Sequence, residues 1–280
     1  MKKRLLIVLS LLLLIILGGL YFWQRPSFVV SRAFTKLSHS RTQSFDGHII
    51  ISNLEASQAL LGEGASLDVA FDGVFERTSP RNSLKTHVLL STDTESVTMR
   101  IEGDIIFLND DAFIRITKAP PAIPALSQLK NQWIKTNRGG GETNSQLNED
   151  EPLFTNVRHT GRTNLNGRSV STYEITTSTT AVLHFLDQVA DILGTRLTAD
   201  QIANFRNNVS SAQEIKTTVA ASKWTHTLRS INSSITMPGR NSVTFTLNLN
   251  DRNKKVDITP PEQAVSLQDI INNAQNTNQN

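Results

Sequence analysis

Cysteine is absent from this chain of 280 residues. Its absence excludes disulfide bonds, thiolate nucleophiles and zinc sites built on cysteine ligands. It also excludes the lipid attachment that an N-terminal cysteine provides. A membrane tether, if there is one, must then be a segment of the polypeptide itself.

A surplus of positive charge is also missing from most of the chain. The formal net charge is +3, from 28 Lys and Arg residues against 25 Asp and Glu residues. Four of the basic residues, Lys2, Lys3, Arg4 and Arg25, flank one apolar segment, and no acidic residue lies in the first 25 positions. Everything after Arg25 carries one more acidic than basic residue. Because nucleic-acid binding relies on clustered Lys and Arg, the sequence predicts no nucleic-acid partner.

Recognisable catalytic and metal-binding motifs are missing as well. The histidines show neither H-x-x-x-H nor H-E-x-x-H spacing, and there is no G-x-S-x-G motif and no P-loop lysine. Asp110 and Asp111 lie between two β-like segments and are interpreted as turn residues, and the carboxylates at 149–151 as part of a solvated loop. The sequence therefore predicts no enzyme, no metal site and no cofactor. A hydrolase with unrecognised catalytic residues is the open alternative.

An uncharged, mostly apolar run begins at Leu5 and ends at Trp23. As a helix rising ~1.5 Å per residue, it spans roughly the ~30 Å hydrocarbon core of a bilayer. Its basic start and aromatic end predict a single-pass anchor in the cell membrane, with the N-terminus cytoplasmic and the rest extracytoplasmic. A cleaved signal peptide is the alternative, and it places the domain on the same side. The predicted organisation is an anchor over residues 1–26, one domain over 27–271 and a disordered tail over 272–280.

The spacing of apolar residues predicts a short helix followed by a series of strands. Residues 27–37 show helical spacing directly after Pro26. From 44 to 117 the period is two, which predicts an antiparallel meander. Its last short strands are predicted at 104–108 and 112–117. After a proline-rich interruption, a short helical piece is predicted at 125–130 and a strand at 132–135.

The second half of the domain places strands on either side of a helical pair. Strands at 154–164 and 168–177 are joined by Asn166-Gly167, which is a strong hairpin signal. Apolar stripes between Val182 and Val209 predict two helices. The remaining strands are predicted at 214–221, 225–236, 242–250 and 256–259.

The predicted order of elements resembles that of the lipoprotein-carrier superfamily. The resemblance rests on the passages GDIIFLNDDAFIRI, LKNQWIKTN, EIKTTVAASKWTHTLRSI and VDITPP, and it spans most of residues 28–271. The superfamily includes the periplasmic lipoprotein chaperone and mycobacterial lipid-binding lipoproteins of the LppX/LprG type. The resemblance implies an α+β fold in which a strongly curved antiparallel β half-barrel packs on a helical pair. It also implies a space for an acyl chain between the two layers.

An apolar pocket would be lined by the inward side chains of the early strands: Val69, Phe71, Val88, Leu90, Met99 and Ile101. Such a surface suits acyl chains, because apolar burial is non-directional and contributes about 0.8 kcal/mol per CH₂. The same residues would equally line a closed core. The predicted function is a membrane-anchored extracytoplasmic protein that binds lipid or lipoprotein acyl chains. The alternative is a scaffolding ectodomain that binds another envelope protein through a sheet edge or loops.

Two tryptophans receive a structural interpretation. Trp133 and Trp224 are large enough to fill the interface between sheet and helices, and this is the role predicted for them. Stacking on a sugar or a lipid is the alternative for both.

Overall fold

Strands dominate the fold. The computed structural model describes residues 23–52, 66–78, 81–93, 98–108, 111–121, 123–137, 154, 156–176, 203, 214–236 and 242–270. Within these ranges helix α1 spans Pro26–Ser38 and helix α2 spans Pro124–Gln128. The strands are β1 (Thr42–Ser52), β2 (Ser66–Thr78), β3 (Arg81–Asp93), β4 (Thr98–Leu108), β5 (Asp111–Lys118), β6 (Trp133–Asn137), β7 (Asn156–Leu165), β8 (Arg168–Thr176), β9 (Glu214–Ala221), β10 (Leu228–Thr236), β11 (Ser242–Arg252) and β12 (Val265–Ser266).

These strands form one open sheet. Its order is β12-β6-β5-β4-β3-β2-β1-β11-β10-β9-β8-β7, so β12 and β7 are the edges. Among the described strands every pairing is antiparallel except that of β12 with β6. Strands β1 to β6 form a meander, and the pairing of β11 with β1 joins it to the second half of the sheet. The predicted large, open antiparallel sheet is confirmed, and its curvature stays a prediction.

Several predicted segments lie outside the described residues. Of the helical pair between Val182 and Val209, only Ala203 is described, and it is helical. The anchor is represented by Trp23 alone, and the loop at 138–152 and the tail from 272 are not described. In the part of the chain that is described, no helix combines the length and the apolar character needed to cross a membrane.

The strands divide their side chains between an apolar face and a polar face. On the apolar face, Ile49 of β1 lies opposite Val69 of β2 and Phe245 of β11. On the polar face, Asp46 of β1 lies opposite Asn248 of β11. Because paired residues in register share a face, the apolar face runs unbroken across β11, β1 and β2.

Helix α1 covers the apolar face in the second half of the sheet. Pro26 occupies the start of the helix, where its fixed φ and missing N–H are tolerated. Val29, Val30 and Ala33 are fully buried. The helix predicted at 27–37 is confirmed, with one more residue at each end. The sheet residues in its core cluster are Tyr173, Ile175, Val219, Ala221, Leu228, Ile231 and Leu249.

Gly47 leaves room for an aromatic ring to lie across β1. A Cβ at this position would be 2.8 Å from Phe71 Cζ and 2.2 Å from the carbonyl oxygen of Thr246. A side chain does not fit at such distances, so the close approach requires glycine. The ring of Phe71 lies 6.1 Å from that of Phe45 and 6.5 Å from that of Phe245, between centroids. The three rings therefore connect β2, β1 and β11 on the apolar face.

The hairpin between β7 and β8 forms where it is predicted. Leu165 pairs with Arg168, which leaves a two-residue turn. Asn166 and Gly167 have φ values of 51° and 75°. Positive φ at both positions is what a type I′ turn requires, and Asn-Gly satisfies it at low energetic cost.

Strand β4 is longer than predicted. The sequence predicts a separate strand at 104–108, but β4 runs unbroken from Thr98 to Leu108. Gly103 lies inside it, opposite Val88, and the ladder to β3 keeps it extended.

The turn assignment of Asp111 is also wrong, because this residue begins β5 and its Oδ2 lies 2.9 Å from Lys135 Nζ on β6. Asp110 lies outside the described residues.

The strand predicted at 256–259 is wrong. These residues have no strand pairing, and Val256 and Ile258 pack against Ile106 and Phe113 on the polar face. The alternation of apolar residues in this segment therefore reflects burial of alternate side chains without pairing to a neighbouring strand.

Strand β10 begins only at Leu228, and not at 225 as predicted, because residues 222–227 form a turn closed by their own backbone hydrogen bonds.

Candidate functional site

The six predicted pocket residues lie together on the apolar face of three neighbouring strands. Val69 of β2 is opposite Leu90 of β3, and Leu90 is opposite Ile101 of β4. Phe71 is opposite Val88 one step further along the same strands. Met99 lies two residues before Ile101 and therefore points to the same face. The structure thus places the whole set on one surface, and its binding role stays a prediction.

This part of the apolar face is more exposed than the part under α1. Val219 and Ala221, which face the helix, are fully buried. The six pocket residues are all half-buried. The difference does not follow the two halves of the sheet, because Leu84, Phe107 and Ala112 of the first half are buried on the same face. The apolar face is closed where α1 and this cluster pack, and its apolar side chains are partly accessible around the six pocket residues.

Thr92 is a polar residue on this face that the sequence-based prediction omits. It lies opposite Leu67 and Met99 and is only 4% exposed. Its Oγ1 has no hydrogen-bond partner within the described part of the chain. Thr86, another buried threonine on this face, donates to the carbonyl oxygen of Asp72 at 2.9 Å. A buried hydroxyl without a partner is destabilising, so Thr92 differs from Thr86 in having an unused hydrogen-bonding group.

Two surface cavities lie on the polar face, away from the six residues. One, of about 470 Å³, is bordered by Asp46, Arg168 and Arg229. Both carboxylate oxygens of Asp46 are occupied, since Asn248 Nδ2 and Asn250 Nδ2 donate to them at 2.9 and 2.5 Å. The hydrogen bonds of Asp46 therefore contribute to holding β1 and β11 together.

The second cavity, of about 440 Å³, borders an ion cluster on β3, β4 and β5. Asp104 accepts hydrogen bonds from His87 Nδ1 and Arg115 Nε, each at 3.0 Å. Burial alone would raise the pKa of Asp104, but the hydrogen bonds and charges of Arg115 and His87 hold it below its ordinary value of 3.8. Across the described residues no group of three or more metal-ligating side chains assembles.

The interface prediction is wrong for Trp224, whereas the helical pair that Trp133 was predicted to face lies outside the described residues apart from Ala203. Trp133 lies on the polar face, where the guanidinium of Arg115 stacks 4.6 Å from its ring centroid and Ile258 belongs to the same cluster. Trp224 is 63% exposed at the turn between β9 and β10. The period-two pattern ends before this turn, so no periodic signal assigned Trp224 to the core.

Comparison with known proteins finds similar folds only among solved structures. No family model and no curated protein matches the chain. LprF from Mycobacterium bovis is 11% identical and covers 85% of this chain and 96% of its own, with a TM-score of 0.45. Lipoprotein LppX from Mycobacterium tuberculosis is 16% identical, with 82% and 96% covered and a TM-score of 0.35. The MucA/MucB complex of Pseudomonas aeruginosa is 10% identical, with 86% and 64% covered and a TM-score of 0.31.

LppX is named in the group that the order of elements resembles. These similarities concern the arrangement of strands and assign no family and no ligand to this chain.

Proposed function

We propose that this protein binds an acyl chain of a lipid or lipoprotein on the apolar face of β2, β3 and β4. The observation that carries the proposal is the half-buried row of Val69, Leu90 and Ile101, which lies on the same face as residues that are fully buried under α1.

The chemistry of the surface fits a flexible apolar chain. Burial of each methylene contributes about 0.8 kcal/mol and requires no particular orientation, so aliphatic side chains suffice along the length of the ligand. Thr86 and Thr92 are buried threonines of β3 on this face, and Thr86 is already paired. Thr92 Oγ1, which has no partner among the described residues, is the proposed hydrogen-bonding group for the carbonyl or carboxyl end of the chain. The proposed ligand therefore lies along Leu90 and Ile101 with its polar end near Thr92.

The proposed location is the outer surface of the cell membrane. The uncharged run from Leu5 to Trp23, preceded by Lys2, Lys3 and Arg4, supports an anchor with the binding domain on the extracytoplasmic side. A tethered binder would present or receive acyl chains close to the membrane and would not carry them across an aqueous compartment.

Photolabelling of the full chain tests the proposed face. The protein, reconstituted in nanodiscs, is incubated with a palmitic acid that carries a diazirine in its chain, and labelled peptides are mapped by mass spectrometry. We expect labels on β2, β3 and β4. Leu90→Asn places an amide of similar size under the ligand and should weaken labelling about 5–100-fold, since burying an unpaired polar group costs about 1–3 kcal/mol.

Leu89→Asn is the matched control, because Leu89 is the adjacent residue of β3 and lies on the polar face opposite Ala70. It should leave labelling unchanged. Equal labelling of both variants, or labels confined to the membrane segment, would overturn the proposed binding face.

A scaffolding role has one observation in its favour. Strand β7 is an edge of the sheet, and most of its residues are exposed, including Arg158 and Thr160. An unpaired edge can accept a strand from a partner protein. Cross-links from this edge to another envelope protein that persist in Leu90→Asn would support the scaffold, whereas cross-links lost in that variant would tie the partner to the acyl site.

A further inference from the structure

The chain enters the domain beside the turn between β9 and β10, at residues 222–227. The indole ring of Trp23 lies 4.5 Å from the imidazole ring of His226, between centroids. Phe28 of α1 lies 5.6 Å from the same imidazole and 5.5 Å from Trp23. His226 is fully buried in this cluster. Trp23, the first described residue, therefore lies at this turn.

The turn has a fixed conformation. Ser222 N donates to the carbonyl oxygen of Thr227 at 2.9 Å, and His226 N donates to that of Ser222 at 2.8 Å. Thr225 N donates to Ser222 Oγ at 3.2 Å, and Lys36 Nζ of α1 donates to the carbonyl oxygen of Thr225. The left-handed φ of 48° at His226 completes the reversal. Trp224, at its tip, is thus presented to the surroundings by an ordered backbone.

Trp224 is the most exposed of the large apolar side chains in the described part of the chain, at 63%. Indole combines a large apolar ring with one N–H donor and is enriched where a bilayer meets water. Trp23, which packs on the same turn, is 40% exposed. Two partly exposed indoles therefore lie at the end of the domain that is next to the predicted anchor in the sequence.

The charges at this end of the domain are positive. Lys223 lies in the turn, and Arg32 and Lys36 of α1 are close enough to His226 to act on its charge. The sequence has no acidic residue at positions 1–45 or at positions 215–250, which contain α1 and the turn. A basic surface beside exposed indoles is complementary to anionic lipid headgroups, which attract each Lys or Arg near a membrane.

We infer that the β9–β10 turn docks on the bilayer that holds the anchor, with Trp224 in the headgroup region and Lys223 against anionic headgroups. The inference rests on the proposed anchor. Docking would fix the orientation of the domain relative to the membrane, because the anchor and the turn would both hold the end of the domain near Trp23 against the bilayer.

Quenching of Trp224 by brominated lipid tests the docking. In the full chain, Trp23→Phe and Trp133→Phe leave Trp224 as the one indole, and the protein is reconstituted in vesicles of brominated phosphatidylcholine with and without phosphatidylglycerol. We expect loss of Trp224 emission, greater with phosphatidylglycerol. Lys223→Glu should remove the added loss in anionic vesicles. The matched control carries Trp23→Phe and Trp224→Phe and retains Trp133, seven strands away along the sheet, which should keep its emission.

The outcomes separate docking from anchoring. A chain that floats with the vesicles while Trp224 stays unquenched overturns the docking and leaves the anchor intact. A chain that does not float overturns both. A third outcome is a blue shift of the Trp224 emission maximum that grows with the amount of protein per vesicle and is the same without brominated lipid. This outcome would assign the turn to contact with a second copy of the chain and overturn membrane docking.

Discussion

Asp104 shows how single residues of the polar face hold neighbouring strands together. Its carboxylate lies on β4 and receives His87 from β3 and Arg115 from β5. Because these partners favour the ionised form, the pKa of Asp104 is lower in the folded chain than in the unfolded chain. Its contribution to stability is therefore complete above the unfolded value and is lost as the pH falls through the folded value.

We expect Asp104→Asn to lower the free energy of unfolding by about 1–2 kcal/mol at neutral pH, since it removes charge-assisted hydrogen bonds. The difference from the unsubstituted chain should shrink as the pH falls below 3.8, the ordinary value for this group. Urea unfolding at a series of pH values measures it. Asp251→Asn is the control, because that carboxylate is 55% exposed in its pair with Lys254 and should matter little at any pH.

At this scale the sequence predicted which residues share a face, because alternation assigns each residue of a strand to one face, and their binding role stays a prediction. Val69, Leu90 and Ile101 were placed together for that reason. Thr92 was missed because a threonine at an inward position has no apolar signature. Trp224 was misplaced because size alone was used to assign it, and a turn has no period that could correct the assignment.

Helix α1 packs on the apolar face of the second half of the sheet, so its inward residues should dominate its contribution to stability. Val30→Ala removes two methyl groups from a fully buried position. We expect a loss of about 2 kcal/mol, from about 0.8 kcal/mol per group and a small cavity term. Ser31→Ala, on the exposed side of the same helix, should change the urea midpoint little, and equal losses in the two variants would contradict the packing of α1.

Elements were predictable where a period persisted over several turns or strands. Helix α1, strands β1 to β3 and the β7–β8 hairpin follow directly from spacing and from Asn166-Gly167. Residues 256–259 were misread as a strand because a segment that packs flat on a sheet buries alternate residues just as a strand does. The strand at 104–108 was predicted as a separate element because the continuity of β4 through Gly103 depends on its pairing with β3.

The whole molecule depends on the pairing of β1 with β11, which joins the two halves of the sheet in the described part of the chain. Phe245 of β11 stacks on Phe71 of β2, with 20° between the ring planes. We expect Phe245→Ala to cost about 2 kcal/mol, below the range of about 3–5 kcal/mol for a fully buried phenyl ring, because Phe245 is half-buried. Amide exchange followed by mass spectrometry should speed up in β2 as well as in β10.

Ile114→Ala is the control for this long-range effect. Ile114 is 38% exposed on β5, on the far side of the first meander. Its loss should change stability by about 0.5 kcal/mol and leave exchange in β10 as it was. Faster exchange confined to β10 and β11 in Phe245→Ala would show that the halves of the sheet unfold independently.

The pairing of β1 with β11 also determines how long one edge of β1 stays unpaired while the chain is synthesised. Ser44 and Asp251, which are hydrogen-bonded across these strands, are 207 residues apart. At a synthesis rate of about 5–20 residues per second, β1 waits roughly 10–40 s with one edge unpaired before β11 emerges. An exposed edge beside an apolar face is prone to aggregation, so we expect the nascent chain to be most prone to aggregation before β11 arrives.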